Sequence, residues 1–147
     1  METRNRTRVE ADLDSLAEFA RRALEATRDF RRGEVYIELV GDRRIQALNT
    51  QWRGKDRPTD VLSFPMDGAD AGPGPILLGD IIIGARQAAA DAAEEGVTLA
   101  EKLRELVLHS LLHLMGYTHE TPADARRMEH RRRQILDRIK ETVASSE

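Results

Sequence analysis

The chain opens with a helical pattern of apolar residues and continues with an alternating one. Apolar side chains recur every three or four positions over residues 12–30, which predicts an amphipathic helix. After Gly33 the apolar residues alternate with polar or mixed neighbours, and residues 34–40 are therefore predicted as a strand. A second helix is expected to follow this strand and to end at Gly54.

Two further strands and three helices are predicted in the rest of the chain. The apolar runs at residues 60–64 and 76–83 are predicted as strands, and the segment 66–75 between them, rich in glycine and proline, as a loop. The predicted helices are residues 85–95, a helix opened by a capping box at Thr98 and Glu101, and a last helix opened by Thr121-Pro122. This order predicts an α+β fold in which a small mixed β-sheet packs with about five helices.

Length and composition predict one self-sufficient domain. A chain of 147 residues can bury about two thirds of its unfolded surface, and no repeat or internal linker divides it. We therefore expect a single domain over residues 1–147 with a frayed tail at 144–147. A polar amino terminus, with no apolar stretch approaching about eighteen residues, predicts a cytoplasmic protein that has no membrane partner.

Cysteine content and charge narrow the chemistry. The chain has no cysteine, so disulfide scaffolds, thiol nucleophiles and cysteine metal sites are excluded, and any metal must be bound by histidines or carboxylates. The net charge of −3 argues against a general electrostatic attraction to nucleic acids, although it does not describe local patches.

Three of the four histidines lie within residues 109–119. His109 and His113 are four residues apart, so on a helix they project from one face and are close enough to share an ion. Gly116 can adopt the left-handed conformation that ends a helix, which would let the chain turn back and bring His119 to the same point. This spacing predicts a three-histidine metal site at the end of a helix in the carboxyl-terminal half.

The donor set indicates a catalytic zinc ion. Neutral imidazoles are good ligands for Zn²⁺, and three protein ligands leave a fourth tetrahedral position for water. We predict one Zn²⁺ per chain, held by His109, His113 and His119, while Ni²⁺, Co²⁺ or Cu²⁺ also suit such a site. The alternative is that these are ordinary surface or core histidines.

The same spacing is similar to the metzincin pattern His-Glu-x-x-His-x-x-Gly-x-x-His. In that mechanism the glutamate directly after the first histidine is the general base. Here Ser110 stands at that position, and its hydroxyl cannot accept a proton near pH 7. The pattern therefore favours a metal site and disfavours peptidase chemistry.

Three motifs together resemble the YbeY family of bacterial rRNA maturation factors. The segment His109-Ser-Leu-Leu-His113-Leu-Met-Gly-Tyr-Thr-His119 resembles the family motif HGxLHLxGYDH. The segment LNTQWRGKDRPTDVLSFP at residues 48–65 resembles LN…(Y/F)RGKDxPT(D/N)VLSFP, and residues 78–81 resemble the LGDI strand. The motifs occur in the expected order and span residues 48–119.

The resemblance implies a single-strand-specific, metal-dependent endoribonuclease. It implies ribosomal RNA processing, notably maturation of the small-subunit rRNA 3′ end, and ribosome quality control. The partners it implies are ribosomal RNA and the small ribosomal subunit, with possible ribosomal protein or GTPase partners. By the same resemblance, His109, His113 and His119 are expected to be the zinc ligands.

Arg53 and His113 are the expected catalytic residues. The family's functionally important arginine corresponds to Arg53, and an arginine at a helix end can hold a phosphate bidentately and stabilise developing negative charge. Arg53, Lys55 and Arg57 are predicted to contact substrate. For each of these three cations the alternative is a solvated surface charge.

Two departures from the family pattern leave other functions open. Ser110 replaces glycine, and Thr118 replaces the usual aspartate, which could have oriented a ligand or accepted a proton. A zinc-stabilised ribosome-assembly factor with little catalysis is one alternative. A metal hydrolase acting on a non-RNA substrate is another. The sequence does not identify the attacking oxygen, the cleavage site or the oligomeric state.

Four other features carry weaker expectations. Aromatic residues make up 4% of the chain, so base stacking is not expected to be the main mode of RNA capture, and Trp52 is expected in the core. The arginine-rich last helix, with His130, is either a solvated charged face or a surface for the RNA backbone. Asp80 lies inside an apolar strand and is expected either to orient a histidine, to pair with an arginine, or to be exposed by a bulge.

Overall fold

The computed structural model describes the backbone of residues 1–66 and 74–145, and the side chains of that range up to residue 141. Four strands and five helices occur in this part of the chain. In chain order they are β1 (Glu2–Asn5), α1 (Leu13–Glu25), β2 (Gly33–Val40), α2 (Asp42–Arg53), β3 (Val61–Pro65), β4 (Ile76–Gly84), α3 (Ala85–Glu95), α4 (Leu99–Leu114) and α5 (Pro122–Ser145).

The strands form one mixed sheet in the order β1-β2-β4-β3. β1 pairs with β2 and β2 pairs with β4 in parallel, whereas β3 runs antiparallel to β4. The α+β prediction with a small mixed sheet and five helices is therefore confirmed. β2 and β4 are the interior strands of the sheet, and β1 and β3 are its edges.

The two faces of the sheet carry two apolar clusters. On one face the larger cluster packs the strands against α1, α4 and α5, and it includes the fully buried Ile37, Ile81 and Leu111. On the opposite face, a smaller cluster packs α2 against β2, β3 and β4. Its buried members are Val40, Ile45, Leu48, Leu62 and Ile82. The sheet thus fixes α2 and α4 on opposite sides of strands β3 and β4.

The helix boundaries follow local signals in the sequence. Thr98 and Glu101 form the expected capping box at the start of α4, with the Thr98 hydroxyl accepting from the Glu101 N–H at 3.1 Å. Gly54 has φ of 66° and ends α2, as predicted. The first helix is shorter than the predicted 12–30 and ends at Glu25. Just beyond its end, the hydroxyl of the buried Thr27 donates to the Leu24 carbonyl at 2.7 Å.

β1 is the element that the hydrophobic pattern did not predict. Its residues are polar and alternate between exposed and half-buried, because the strand lies at the edge of the sheet beside β2. Most of the predicted loop 66–75 lies outside the described residues, as do residues 146 and 147 of the predicted tail. None of the helices in the described part of the chain combines the length and apolar composition needed to traverse a lipid bilayer.

Candidate metal centre

Helix α4 presents two histidines side by side near its carboxyl end. The Nε2 atoms of His109 and His113 are 3.0 Å apart, and their ring centroids are separated by 4.5 Å. The apolar residues of the helix pack into the larger apolar cluster, with Val107, Leu111 and Leu112 fully buried. The helix is therefore held rigidly, and the two histidines share the face that remains outside the core.

A left-handed glycine brings the third histidine to this pair. Gly116 has φ of 101°, as its position after the helix predicted. Its N–H donates to the His113 carbonyl at 3.0 Å, and the Tyr117 N–H donates to the Leu112 carbonyl at 3.0 Å. The chain then turns back, so that the His119 ring centroid lies 5.3 Å from that of His113.

The three histidines can hold one metal ion. One ring nitrogen from each of His109, His113 and His119 lies within 4.8 Å of the others. Zinc–nitrogen bonds of about 2.0–2.1 Å place two ligands of a tetrahedral ion about 3.4 Å apart, close to the spacing between His109 and His113. The donor set and its geometry therefore fit a cation that prefers imidazole ligands, such as Zn²⁺.

A backbone hydrogen bond selects the ligating nitrogen of His113. Its Nδ1 lies 3.1 Å from the Tyr117 carbonyl oxygen, and since a carbonyl only accepts, Nδ1 carries the proton. In the neutral ring Nε2 then bears the lone pair, and Nε2 is the atom that faces His109. A second hydrogen bond of this kind commonly orients metal-binding histidines.

The surroundings keep two of the histidines neutral. Partial burial is the main cause that lowers the pKa of His109, and positive charge on His113 or His119 lowers it further. The pKa of His113 is likewise lowered, first by burial, then by His119 and also by the positive charge of Arg53. Neutral imidazole is the form that binds metal ions, so the lowered pKa values favour metal binding by these two rings.

The histidines lie in a cleft of about 970 Å³ between α4 and the α2–β3 region. Arg53, at the last position of α2, lines the same cleft as His109, His113 and His119. The remaining lining residues are Trp52, Thr59, Asp60, Val61, Leu62, Ser63, Phe64, Pro65, Lys102, Glu105, Leu106, Leu114, Glu129 and Arg132. Arg53 and the three histidines, predicted from separate segments, therefore meet at one site.

Arg53 differs from Lys102 and Arg132 of the cleft in having no carboxylate partner among the described residues. Lys102 is buried and pairs with Glu95 at 2.9 Å, and Arg132 pairs with Glu129 at 3.3 Å. Arg53 forms no ion pair with any residue in the described part of the chain. Its charge is thus available to an anionic ligand in the cleft.

Lys55 and Arg57 are exposed and do not line the cleft. The Lys55 N–H donates to the Asn49 carbonyl at 3.2 Å, and the Asn49 side chain donates to the Arg57 carbonyl at 2.9 Å. These backbone contacts shape the loop that follows α2. In this structure the two side chains are surface charges beside the cleft, and their predicted contact with substrate remains a prediction.

The arginine-rich helix α5 is divided into two kinds of surface. Arg132 and Arg133 both pair with Glu129, as expected of a solvated charged face. Arg126 and His130 instead line a separate groove of about 530 Å³ with Tyr117, Ala123, Arg127, Arg131 and Gln134. The fourth histidine therefore stands apart from the candidate metal site, as predicted.

The expectation that Trp52 belongs to the core is wrong. Trp52 is 63% exposed and lines the cleft, with its ring centroid 6.0 Å from that of Phe64 at an interplanar angle of 71°. It lies in the last turn of α2, beyond Ile45 and Leu48, which fill the smaller apolar cluster. The prediction was based on hydrophobicity alone. In the structure the last turn of α2 extends beyond the smaller apolar cluster, so Trp52 lies outside it.

Two carboxylates of the cleft were not foreseen. Asp60 and Glu105 line the cleft, and the negative charge of each raises the pKa of His109 against the stronger lowering effects. Glu105 precedes His109 by four residues, so helical spacing was a signal that could have identified it. Asp60 is placed beside the cleft by the pairing of β3 in the sheet, so its spacing from the histidines in the sequence does not identify it.

Ser110 and Thr118, which depart from the family motif, have different surroundings. Ser110 is fully buried, and its hydroxyl has no hydrogen-bond partner among the described residues. Thr118 contributes to the lowered pKa of the Asp124 carboxyl, after the larger effects of Arg127 and Thr121. Thr118 therefore acts electrostatically on the first turn of α5.

Comparisons with known proteins agree with these motifs. A family model described as Endoribonuclease YbeY matches residues 2–140. Proteins named Endoribonuclease YbeY from Anaeromyxobacter sp. (strain Fw109-5) and Sulfurihydrogenibium sp. (strain YO3AOP1) are 56% identical over 95 residues and 47% identical over 107 residues. The alignments cover 65% and 72% of this chain, and 48% and 70% of those relatives, so the match spans about half the length of the first.

A solved structure supports the fold. The solution structure of TM1509 from Thermotoga maritima is 28% identical to this chain and superimposes with a TM-score of 0.62. The superposition covers 99% of this chain and 92% of that one. The likeness in fold therefore extends over nearly the whole chain.

Proposed function

Because this chain belongs to the YbeY endoribonuclease family, we propose that it is a single-strand-specific, zinc-dependent endoribonuclease. Its proposed role is ribosomal RNA processing in the cytoplasm, including maturation of the small-subunit rRNA 3′ end, and ribosome quality control. Its proposed partners are ribosomal RNA and the small ribosomal subunit. The observation that carries the proposal is that three histidines meet Arg53 in one cleft, and that Arg53 has no ion-pair partner in the described part of the chain.

The proposed cofactor is one Zn²⁺ held by His109, His113 and His119. The hydrogen bond from His113 to the Tyr117 carbonyl supports this assignment, because it leaves Nε2 free to ligate. A bound Zn²⁺ supplies Lewis-acid chemistry for phosphodiester hydrolysis. The lowered pKa values of His109 and His113 keep both rings in the form that can bind it.

Arg53 is proposed to bind the scissile phosphate. Its guanidinium can donate two parallel hydrogen bonds to phosphate oxygens and stabilise the negative charge that develops on them. Without a carboxylate partner in the described part of the chain, it need not break an ion pair to do so. Lys55 and Arg57 are proposed to make only peripheral contacts with the RNA, because they lie outside the cleft lining.

Proton transfer is proposed to involve the carboxylates of the cleft. Ser110, at the position of the metzincin general base, is buried and cannot reach a substrate. Asp60 and Glu105 line the cleft and act electrostatically on His109, so a carboxylate at either position can accept a proton from the attacking group. These two residues give the site the general base that the histidine motif lacks.

The decisive experiment measures cleavage of a single-stranded ribosomal RNA fragment and of the same fragment in a duplex. Wild type, Arg53→Ala and His113→Ala are compared, with zinc content and circular dichroism measured on each sample. Arg133→Ala is the matched arginine control, because Arg133 is exposed, pairs with Glu129 and does not line the cleft. We expect Arg53→Ala to retain zinc and to lose about a hundredfold or more in cleavage rate.

Each outcome separates the possible functions. Zinc-dependent cleavage by wild type and Arg133→Ala, with loss in folded Arg53→Ala, supports the nuclease and the role of Arg53. Stoichiometric zinc without cleavage above background contradicts the enzyme and favours the assembly-factor alternative. Equal cleavage of the single-stranded and duplex fragments contradicts the single-strand specificity alone.

A further inference from the structure

Trp52 is an exposed aromatic residue in the cleft, although the chain has few aromatic residues. The sequence contains six aromatic residues, and two of them, Trp52 and Phe64, line the cleft that holds the three histidines. Among the described residues, Trp52 is the most exposed of the large hydrophobic side chains, at 63%. A ligand that covered this ring would remove a large apolar surface from water, which is favourable.

Phe64 braces the indole against the sheet. The two rings are in the edge-to-face arrangement, with centroids 6.0 Å apart. Phe64 is itself half-buried and packs against the apolar cluster that joins α2 to the sheet. A ring that is supported in this way loses little conformational freedom when a ligand binds, because its position is already restricted.

Trp52 and Arg53 offer complementary contacts to a nucleotide. They are consecutive residues, so their Cα atoms are about 3.8 Å apart, and both side chains line the cleft. An aromatic ring can stack on a base of any kind, and a guanidinium can hold the adjoining phosphate. Single-stranded RNA presents both groups, since its bases are free to leave the helical stack.

We propose that Trp52, braced by Phe64, is a stacking platform for an unpaired base of the RNA substrate. This inference rests on the proposed function, because it assigns the base-binding part of the same cleft. It also provides a structural reason for a preference for single strands, since a base within a duplex is not available to stack on the indole.

The single tryptophan makes the platform directly observable. Trp52 is the sole tryptophan of the chain, so the intrinsic fluorescence excited at the indole band reports on this residue. Protein of measured metal content is titrated with a single-stranded oligoribonucleotide and, separately, with an abasic ribose-phosphate oligomer of equal length. Gel analysis after each titration shows that the oligomer is intact. We expect the base-containing oligomer to quench the fluorescence and the abasic oligomer to leave it unchanged.

Variants separate stacking from a structural role. Affinities are measured by fluorescence anisotropy of end-labelled oligomers for wild type, Trp52→Ala and Trp52→Phe. We expect Trp52→Ala to weaken binding of the base-containing oligomer about 5- to 150-fold, and Trp52→Phe to retain most of the affinity. Neither variant should change binding of the abasic oligomer. Leu77→Ala is the matched control, because Leu77 is 44% exposed and does not line the cleft.

Several results would overturn the platform. Binding detected by anisotropy without quenching would do so, as would an equal loss of affinity for both oligomers in Trp52→Ala. Failure of any RNA to quench the indole would have the same meaning. Quenching with normal affinity but no cleavage would contradict the proposed nuclease and leave the platform intact. Normal cleavage and normal RNA affinity in Trp52→Ala would contradict the platform and leave the proposed nuclease intact.

Discussion

The Nδ1 atom of His113 donates a hydrogen bond to the Tyr117 carbonyl oxygen at 3.1 Å, although the two residues lie on either side of the glycine that ends α4. The contact joins the helix to the segment that returns with His119. It also fixes which nitrogen of His113 faces the other two rings. This hydrogen bond therefore links the end of the helix to the candidate metal site.

Metal binding is expected to persist below the pH at which an ordinary histidine becomes charged. The pKa values of His109 and His113 lie below the ordinary value of 6.5, mainly because of partial burial. Affinity for Zn²⁺, measured by competition with a chromophoric chelator from pH 8 to pH 5, should fall as the pH drops through these lowered pKa values. A loss of affinity already complete at pH 6.5 would contradict this.

The stability of the metal-free protein should change over a related range of pH. Because folding lowers the two pKa values, the unfolded chain binds more protons between the lowered values and 6.5. The free energy of unfolding should therefore decrease as the pH falls from about 6.5 through the folded-state values. Urea denaturation of wild type and of His109→Gln, which lacks one of the titrating rings, measures the effect. The pH dependence should be smaller in the variant.

His119 and His130 give a matched pair of histidine substitutions. Both residues follow α4 in the chain, but only His119 lies with the other two candidate ligands. We expect His119→Ala to lose at least tenfold in Zn²⁺ affinity, while His130→Ala binds one ion per chain with unchanged affinity. Isothermal titration calorimetry measures both. A similar loss in the two variants would place the site elsewhere.

Gly116→Ala is expected to weaken the metal site through the backbone. Gly116 has φ of 101° with no atoms within 4 Å of an added Cβ, so the cost is conformational and about 1–2 kcal/mol. Gly96→Ala is the control, since Gly96 also has a positive φ of 73° and open space but lies far along the chain from the histidines. Both should lose similar stability in urea denaturation, and only Gly116→Ala should lose Zn²⁺ affinity. Equal affinities would show that the turn does not position His119.

Asp80→Asn is expected to stabilise the protein at neutral pH. Burial raises the pKa of Asp80, and the negative charge of Glu38 raises it further. Folding therefore disfavours the charged form. The charge lowers the free energy of unfolding above the raised pKa and has no such effect below the ordinary value of 3.8. The variant should have a higher Tm than wild type at pH 7, and the difference should shrink toward pH 3.5. Asp137→Asn, at an exposed position on α5, is the control.

The candidate metal site could be predicted from the sequence because its residues are close together in the chain. Helical spacing and a helix-ending glycine determine the positions of His109, His113 and His119 within eleven residues of each other. The same reasoning predicted the capping box of α4 and the glycine that ends α2. Arg53 was found through the resemblance to a family, and the structure adds that no carboxylate in the described part of the chain pairs with it.

The remaining features depend on contacts between distant segments. β1 has a polar sequence because it is a sheet edge, and its pairing with β2 is not encoded in its own pattern. Trp52 was expected in the core because it is hydrophobic. Local hydrophobicity does not show where a helix extends beyond the sheet, so the expectation was wrong. Asp60 lines the cleft because of where β3 lies in the sheet. Asp80 occupies a strand and is not among the residues that line the cleft.

The parallel pairing of β2 with β4 has a consequence for the order of folding. This pairing joins residues about forty positions apart, and both α2 and β3 lie in the connection between the two strands. One wall of the cleft, with Arg53 and Trp52, is therefore completed only after a long loop has closed, which is slow. The histidine segment needs no such closure. A partly folded or destabilised chain should consequently lose the wall that carries Arg53 and Trp52 while the short histidine segment still captures metal. Metal content alone is therefore expected to be a poor measure of correctly folded protein.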